Sequence, residues 1–106
     1  MEQNNKQYKV IIDPSANDRM AEHLEFLARV SENAAIKLLN EFLKDIDSLK
    51  EFPFRNPVFI RDYLSIGKYR YMISGKRYRI VYQVEGNFIY IDDIQDCRQD
   101  DDKNII

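Results

Sequence analysis

The first half of the chain carries apolar residues at helical spacing. A short β-branched run at residues 8–12 predicts a first strand, which Asp13 and Pro14 end. A helix is predicted from Pro14 to about Val30, with its apolar positions at Ala16, Met20, Leu24 and Leu27. Asp13 is suited to cap this helix. Pro14 is suited to begin it, because its missing N–H would be unpaired there in any case.

A second helix is predicted after Ser31, which can cap it. Its apolar positions step by four and three residues along one face: Ala35, Leu39, Phe42, Ile46 and Leu49. We expect it to end at Phe52 and Pro53, because proline disfavours helical geometry in the residue before it. The short break at Ser31 predicts an antiparallel hairpin whose apolar faces must also pack on a sheet.

The second half of the chain has the period of β-strands. After an irregular segment at residues 54–66, strands are predicted at 69–73, 78–84 and 88–94, separated by tight turns. The expected fold class is therefore α+β. An N-terminal strand and an antiparallel helical hairpin precede a three-stranded antiparallel meander, and the strands form one small twisted sheet. With the hairpin on one face, the other face should stay concave and partly open.

Size and composition narrow the class of protein. The 106 residues predict a single domain, 1–106, with flexible tails at 1–7 and 100–106. The single cysteine, Cys97, allows no intrachain disulfide and suits a reducing cytoplasm. A membrane span is not expected, since nowhere do about 18 apolar residues run together. Metal-ligand spacing and a glycine-rich phosphate loop are both missing from the sequence, so we expect no metal and no cofactor.

Charge is distributed unevenly along the chain. The formal net charge is −2, yet residues 52–84 carry +6, whereas residues 13–51 carry −4 and residues 85–106 carry −5. A basic strand region can attract phosphate while the rest of the surface repels it. The candidate nucleic-acid-binding residues are Lys68, Arg70, Lys76, Arg77 and Arg79. The alternative is an ordinary mixed surface whose charges cluster only in sequence.

Three arginines are the candidate catalytic residues: Arg79, Arg70 and Arg98. Alternate side chains of a strand share a face, so Arg70 and Arg79 would point together into the open side if both apolar faces meet the helices. Arg98 could complete the group. Converging guanidiniums would bind a phosphodiester and stabilise a phosphoryl-transfer transition state. Asp96 is a candidate general base. Alternatively, the arginines form surface ion pairs with Asp92, Asp93 and Asp96.

The histidine and tyrosine side chains are weaker candidates for functional residues than the arginines. His23 lies in the first predicted helix, far in sequence from the basic strands, so we interpret it as a surface or boundary residue. Tyr82 and Tyr90 are expected to pack in the core or on the sheet. Tyr63 or Tyr71 could instead stack on a base.

The segment YRYMISGKRYRIVYQVEGNFIYIDDIQDCRQD resembles the C-terminal half of RelE/ParE-type toxins of type II bacterial toxin–antitoxin systems, which include plasmid stabilisation proteins. In that family a helical hairpin precedes strands with a YRI-V/L-Y-x-V signature. SLKEFPFRNP at residues 48–57 is similar to the helix end of many ParE-like sequences. The resemblance spans Tyr8 to Asp100. It implies a RelE/ParE-like fold and a cytoplasmic toxin, neutralised by a cognate antitoxin whose C-terminal segment wraps it.

The resemblance implies two alternative targets. RelE-like toxins are endoribonucleases that cut messenger RNA on the ribosome, whereas ParE-like toxins inhibit growth by poisoning DNA gyrase without nuclease activity. On the cleavage pattern, Arg79 matches the arginine that contacts the scissile phosphate and Arg70 matches a basic residue of the preceding strand. Arg98 is the match near the C-terminus, but Met72 stands where a second basic residue is expected.

Whether the protein is an enzyme therefore stays open at this point. A third alternative is a degenerate member that binds its antitoxin without toxicity. The implied partners are the antitoxin and either the ribosome with messenger RNA or gyrase, and the assembly could be a homo-oligomer or a heterotetramer with antitoxin.

Overall fold

Two helices and four strands make up the fold in the computed structural model, which describes residues 8–98. Their bounds, in chain order, are β1 (Lys9–Ile12), α1 (Pro14–Ala28), α2 (Glu32–Ser48), β2 (Arg70–Ser74), β3 (Tyr78–Glu85) and β4 (Phe88–Asp96). The predicted α+β fold, with this order of elements, is confirmed. The expected tails at 1–7 and 100–106 lie outside the described residues. Within the described range, neither helix has the length and hydrophobicity needed to cross a bilayer.

Both helix starts follow the predicted caps. The Asp13 carboxylate accepts a hydrogen bond from the Ser15 backbone N–H at 3.0 Å, and Pro14 occupies the first helical turn. The Ser31 hydroxyl accepts from the Ala34 N–H at 3.2 Å. These side chains satisfy N–H groups that a helix N-terminus leaves unpaired. Local sequence therefore determines where each helix begins.

The end of α2 comes earlier than predicted, at Ser48 and not at Phe52. The Ser48 hydroxyl donates to the Asp45 carbonyl at 2.6 Å, and this is the carbonyl to which the next helical N–H would bond. The Leu49 N–H bonds instead to the Ile46 carbonyl at 3.1 Å, three residues back. The chain therefore tightens into turns before it reaches Pro53.

The four strands form one mixed sheet in the order β1-β4-β3-β2. β1 pairs with β4 in parallel, and the other neighbours are antiparallel, as the meander requires. Between the pairs Tyr82↔Ile91 and Val81↔Asp93, the residue Asp92 is left over on β4, which is a β-bulge. β1 is paired only as far as Ile91, so beyond this point β4 has no β1 partner.

The hydrophobic core lies between the helices and one side of the sheet. We call that side the helix face; on β3 it carries Tyr78, Ile80 and Tyr82. Core side chains from both layers are buried: Ala16, Met20, Leu38, Phe42, Ile46, Ile80, Tyr82, Ile89, Ile91 and Ile94. The Phe42 ring meets the Tyr78 ring edge to face at 5.3 Å between centroids. Tyr82, placed in the core by sequence, is fully buried.

The far face of the sheet, which carries Arg79, Val81 and Gln83 on β3, is less open than expected. Val81 is fully buried there. The connection between α2 and β2 runs alongside β2, where the Phe59 N–H donates to the Tyr69 carbonyl at 2.8 Å and the Tyr71 N–H donates to the Pro57 carbonyl at 3.1 Å. Phe59 is itself buried and packs edge to face on Tyr71. This connection therefore covers part of the face that was predicted to be free.

Candidate functional site

Arg70 and Arg79 lie on opposite faces of the sheet, so the expectation that they point together into one hollow was wrong. Arg70 is paired with Tyr82 and therefore lies on the helix face, whereas Arg79 is paired with Ile73 on the far face. The reason is the turn between β2 and β3. Its three residues, 75–77, bring Ser74 opposite Tyr78, and this register turns Met72 toward the core and Ile73 away from it.

Arg70 holds the α2–β2 connection. Its Nη1 donates to the Asn56 carbonyl at 2.7 Å, and its guanidinium lies over the Phe54 ring at 5.3 Å. Nearby, the Tyr82 hydroxyl donates to the Pro53 carbonyl at 2.6 Å and accepts from Asn56. Burial raises the pKa of that phenol. Arg70 thus satisfies backbone carbonyls of an irregular segment.

Arg79 is tied to a buried amide on the far face. Its Nε and Nη2 donate to Gln95 Oε1 at 2.9 and 2.6 Å, and Gln95 Nε2 in turn donates to Asp93 at 3.1 Å. Asp93 forms a salt bridge with Arg19 of α1 at 3.5 Å. It lies on the part of β4 that does not pair with β1. Gln95 is fully buried, and these bonds satisfy its polar atoms.

A second arginine, which the sequence analysis did not single out, contacts the same aromatic side chain as Arg79. Arg61 lies over the Phe59 ring at 4.3 Å and Arg79 lies over the same ring at 4.8 Å. Both guanidiniums therefore contact one aromatic side chain. Arg61 lies in the irregular segment at residues 54–66. Because this segment has no helical or strand period, the sequence does not predict on which side of the sheet the Arg61 side chain lies.

Arg98 is separate from both of the other arginines. Register places Asp96 opposite Tyr78, on the helix face at the end of β4. Arg98 donates to both Asp96 oxygens, at 3.1 Å from Nε and 2.7 Å from Nη2. The alternative of arginine–aspartate ion pairs is therefore what is found for this residue.

The Arg98 guanidinium lowers the pKa of Asp96 by hydrogen bonding to its carboxylate. A carboxylate held in its ionised form by an adjacent cation is a weak base, which argues against Asp96 as a general base. Arg98 is likewise paired with a counter-charge, so little of its charge remains for a phosphate.

His23 had been interpreted as a surface or boundary residue, and that interpretation was wrong. It is 9% exposed, and a ring nitrogen lies 2.7 Å from the Ile94 carbonyl oxygen on β4. The signal was in the sequence. With Ala16 and Met20, His23 continues a four-then-three spacing that reaches Leu27, whereas Leu24 lies beside that stripe.

His23, Arg98 and Asp96 line one cavity of about 770 Å³ between α1 and the ends of β3 and β4. We call it the α1–β4 cavity. Its full lining is Arg19, Glu22, His23, Phe26, Tyr78, Asp96 and Arg98. The centroids of the His23 and Tyr78 rings, both in the lining, lie 5.1 Å apart. Asp96 and Arg98, which the sequence predicts as site residues, therefore line the same cavity as His23, which it does not.

The remaining basic candidates are also dispersed. Lys68 lies over the Tyr69 ring at 5.3 Å in the α2–β2 connection. Lys76 and Arg77 form the β2–β3 turn and line a second cavity of about 380 Å³, on the helix side. Among residues 8–98, no three histidine, cysteine or acidic side chains are grouped to hold a metal ion. The described residues thus present several separate basic sites and no common anion pocket.

Comparison with known proteins gives a family and a fold. Residues 10–101 match the family model described as ParE toxin of type II toxin–antitoxin system, parDE. A solved chain of a chromosomal ParDE toxin–antitoxin system from P. aeruginosa is similar in structure, with a TM-score of 0.70 at 11% sequence identity. The similarity covers 87% of this chain and 98% of that chain. No curated protein matches the sequence.

Proposed function

This chain belongs to the ParE toxin family of type II toxin–antitoxin systems, and we propose that it arrests growth by binding DNA gyrase and not by cutting RNA. A cognate antitoxin neutralises it, with the antitoxin's C-terminal segment laid on the toxin. Both act in the cytoplasm. Nucleolytic and gyrase-directed toxins share one fold but differ in the chemistry they need, so the geometry of the basic side chains bears on which mechanism applies.

The separation of the three arginines supports binding over cleavage. Stabilising a phosphoryl-transfer transition state requires cations that converge on the phosphate oxygens. Arg70 and Arg79 lie on opposite faces of the sheet, and Arg98 is neutralised by Asp96. Each of the three already donates hydrogen bonds within the chain. This is the single observation that carries the proposal.

The α2–β2 connection is the surface that we propose for gyrase. Five large apolar side chains are more than half exposed along it: Phe52, Phe54, Ile60, Tyr63 and Ile66. Cationic residues alternate with them, among them Arg55, Arg61 and Lys68. Aromatic residues and arginine are enriched in protein–protein interfaces. An exposed aromatic segment of this kind is suited to binding a protein, and Arg70, Arg79 and Lys68 would support binding there without taking part in chemistry.

The antitoxin is proposed to dock at the second cavity, on the helix side. Its apolar lining includes Phe26, which is 63% exposed, and Val30, which is 79% exposed. Lys37, Lys76 and Arg77 surround these residues and Glu41 is the acidic residue in the lining. A basic rim around an apolar groove is complementary to an acidic amphipathic segment.

The test compares two reactions with one purified protein. We expect the protein to inhibit supercoiling by gyrase and to trap cleaved DNA, while messenger RNA on translating ribosomes stays intact. Tyr63→Ala should weaken inhibition about tenfold, as loss of an interface anchor does. Phe88→Ala removes another exposed aromatic ring, at 41% exposure on β4, and should leave inhibition unchanged. Cut messenger RNA with unaffected gyrase would overturn the proposal, and in that case Arg79→Ala should abolish cleavage.

A further inference from the structure

We propose that the α1–β4 cavity is a binding site for a nucleobase, held by Phe26 and hydrogen-bonded to His23 and Tyr78. The cavity lies away from the α2–β2 connection that we assign to gyrase, and the inference does not depend on that assignment. It shares Phe26, Tyr78 and Arg98 with the groove that we propose for the antitoxin, so the base and the antitoxin would compete for these residues. The cavity volume of about 770 Å³ is within the range of small-molecule sites, which is roughly 300–1,000 Å³.

Two buried side chains in the lining carry polar atoms that have no hydrogen-bond partner among residues 8–98. His23 is 9% exposed, and its Nε2 lies 2.7 Å from the Ile94 carbonyl oxygen. A carbonyl only accepts, so Nε2 carries a hydrogen and the neutral ring keeps Nδ1 as an acceptor. Within residues 8–98, Nδ1 makes no hydrogen bond, and neither does the hydroxyl of Tyr78, which is 5% exposed. Buried polar atoms normally pair with protein or with ordered water, so these two atoms are available to a ligand that enters the cavity.

The charges of the cavity lining are balanced. Arg98 is paired with Asp96 at 2.7 Å, and Arg19 contacts Asp93 at 3.5 Å. Both cations therefore already face carboxylates, and Glu22 adds a further negative charge to the lining. A phosphate or a carboxylate would meet no net positive field here. A neutral polar ligand fits the lining better than an anion does.

The cavity lining is rich in flat groups. Phe26 is 63% exposed and lines the cavity with three other flat groups, the Tyr78 ring, the His23 ring and the Arg98 guanidinium. Base pockets combine stacking on such groups with hydrogen bonds to the base edge. A nucleobase is flat and uncharged and carries both donors and acceptors. It would complement the Nδ1 acceptor, the Tyr78 hydroxyl and the free N–H groups of Arg98.

The same chemistry can come from a free nucleoside or from an unpaired base of a nucleic-acid strand. The probes are therefore the four ribonucleosides, single-stranded oligonucleotides of one base each, and inorganic phosphate. Binding is measured on the full chain by ¹H–¹⁵N chemical-shift titration. We expect one or more nucleosides or oligonucleotides to bind and to shift His23 Nδ1 and the residues around it. Binding of nucleosides identifies a free base as the ligand, and binding of oligonucleotides alone identifies a base within a strand.

The variant Phe26→Ala removes the exposed stacking surface and should weaken binding about fivefold or more. Phe88→Ala is the matched control, because Phe88 is 41% exposed but does not line the cavity. Its binding should equal that of the unmodified protein. The proposal fails if no nucleoside or oligonucleotide binds, if Phe26→Ala binds as tightly as the control, or if inorganic phosphate alone produces the same shifts.

Discussion

The Asp96–Arg98 pair shows how a neighbour decides what a charged residue can do. In sequence, Asp96 and Arg98 are two residues apart and were assigned separate functions, as a base and as a phosphate-binding cation. In the structure Asp96 is buried at the end of β4 and accepts three hydrogen bonds from Arg98, two from the guanidinium and one from the backbone N–H. The carboxylate and the guanidinium therefore balance each other's charge, and the Asp96 carboxylate becomes a weaker base than a lone aspartate.

Replacing Arg98 by glutamine should raise the pKa of Asp96 toward its ordinary value. Because Arg98 lowers this pKa in the folded state, the pair stabilises the fold above the unfolded-state pKa of about 3.9. That stabilisation is lost as the pH falls through the lower, folded-state pKa. Arg98→Gln should therefore unfold with a weaker dependence on pH in the acid range.

Carboxyl ¹³C titration and urea unfolding at several acid pH values measure the two effects. Lys50→Gln is the control, since it removes an exposed ion pair with Asp47 elsewhere on the surface. The Asp96 titration should be the same in that variant as in the unmodified protein. An unchanged Asp96 pKa in Arg98→Gln would show that the pair is unimportant in solution.

At the scale of elements, the turn between β2 and β3 sets the faces of both strands. Gly75 and Lys76 have positive φ values of 58° and 73°, in the left-handed region. A β-carbon on Gly75 would also contact the Leu38 side chain in the core, where Leu38 is 6% exposed. The turn therefore requires glycine at this position for two reasons, its conformation and its close approach to α2.

Gly75→Ala should lower the free energy of unfolding by about 2 kcal/mol or more, as the sum of a left-handed alanine and a core contact. Gly86→Ala is the matched comparison. Gly86 has a φ of 59°, nearly that of Gly75, but nothing lies within 4 Å of its added β-carbon. It should lose only about 1 kcal/mol. Urea denaturation measures both, and equal losses would mean that Leu38 moves aside at no cost.

At the scale of the whole molecule, the basic residues that cluster in sequence are dispersed around the fold. Lys68 and Arg70 lie in and beside the α2–β2 connection, Arg79 lies on the far face, and Lys76 and Arg77 lie at the β2–β3 turn beside α2. Lys37, from the acidic first half of the chain, joins the last group. The basic rim of the proposed antitoxin groove thus combines one residue of α2 with two residues of the β2–β3 turn, which lie far apart in sequence.

Charge reversal at this rim should weaken antitoxin binding. We expect Lys37→Glu to reduce the affinity about tenfold at low salt and less at high salt, because salt screens exposed charges. Lys44→Glu is the matched control, since Lys44 is exposed on the same helix but does not line the groove. Isothermal titration of purified toxin with the antitoxin's C-terminal segment measures both. Equal weakening by the two variants would place the docking surface elsewhere.

Much of the fold could be predicted because it follows from short stretches of chain. Helix starts depend on caps such as Asp13 and Ser31, and the strands depend on alternation between tight turns. The YRIVY segment and its spacing likewise gave the toxin family, which the family model confirms. These features need no knowledge of which residues meet in space.

The order and type of the elements, the core stripe of each helix in outline and the family thus follow from the order of residues along the chain. The site does not, because its residues come together only when the helices and strands pack. The three-residue turn after Ser74 sets the register of β2 and β3 and so places Arg70 and Arg79 on opposite faces of the sheet. The packing of α1 on β4 buries His23 in the same cavity lining as Asp96 and Arg98. The physical reason is that a one-residue difference in register moves every side chain of a strand to the other face, and register is set by pairing between strands and not by composition.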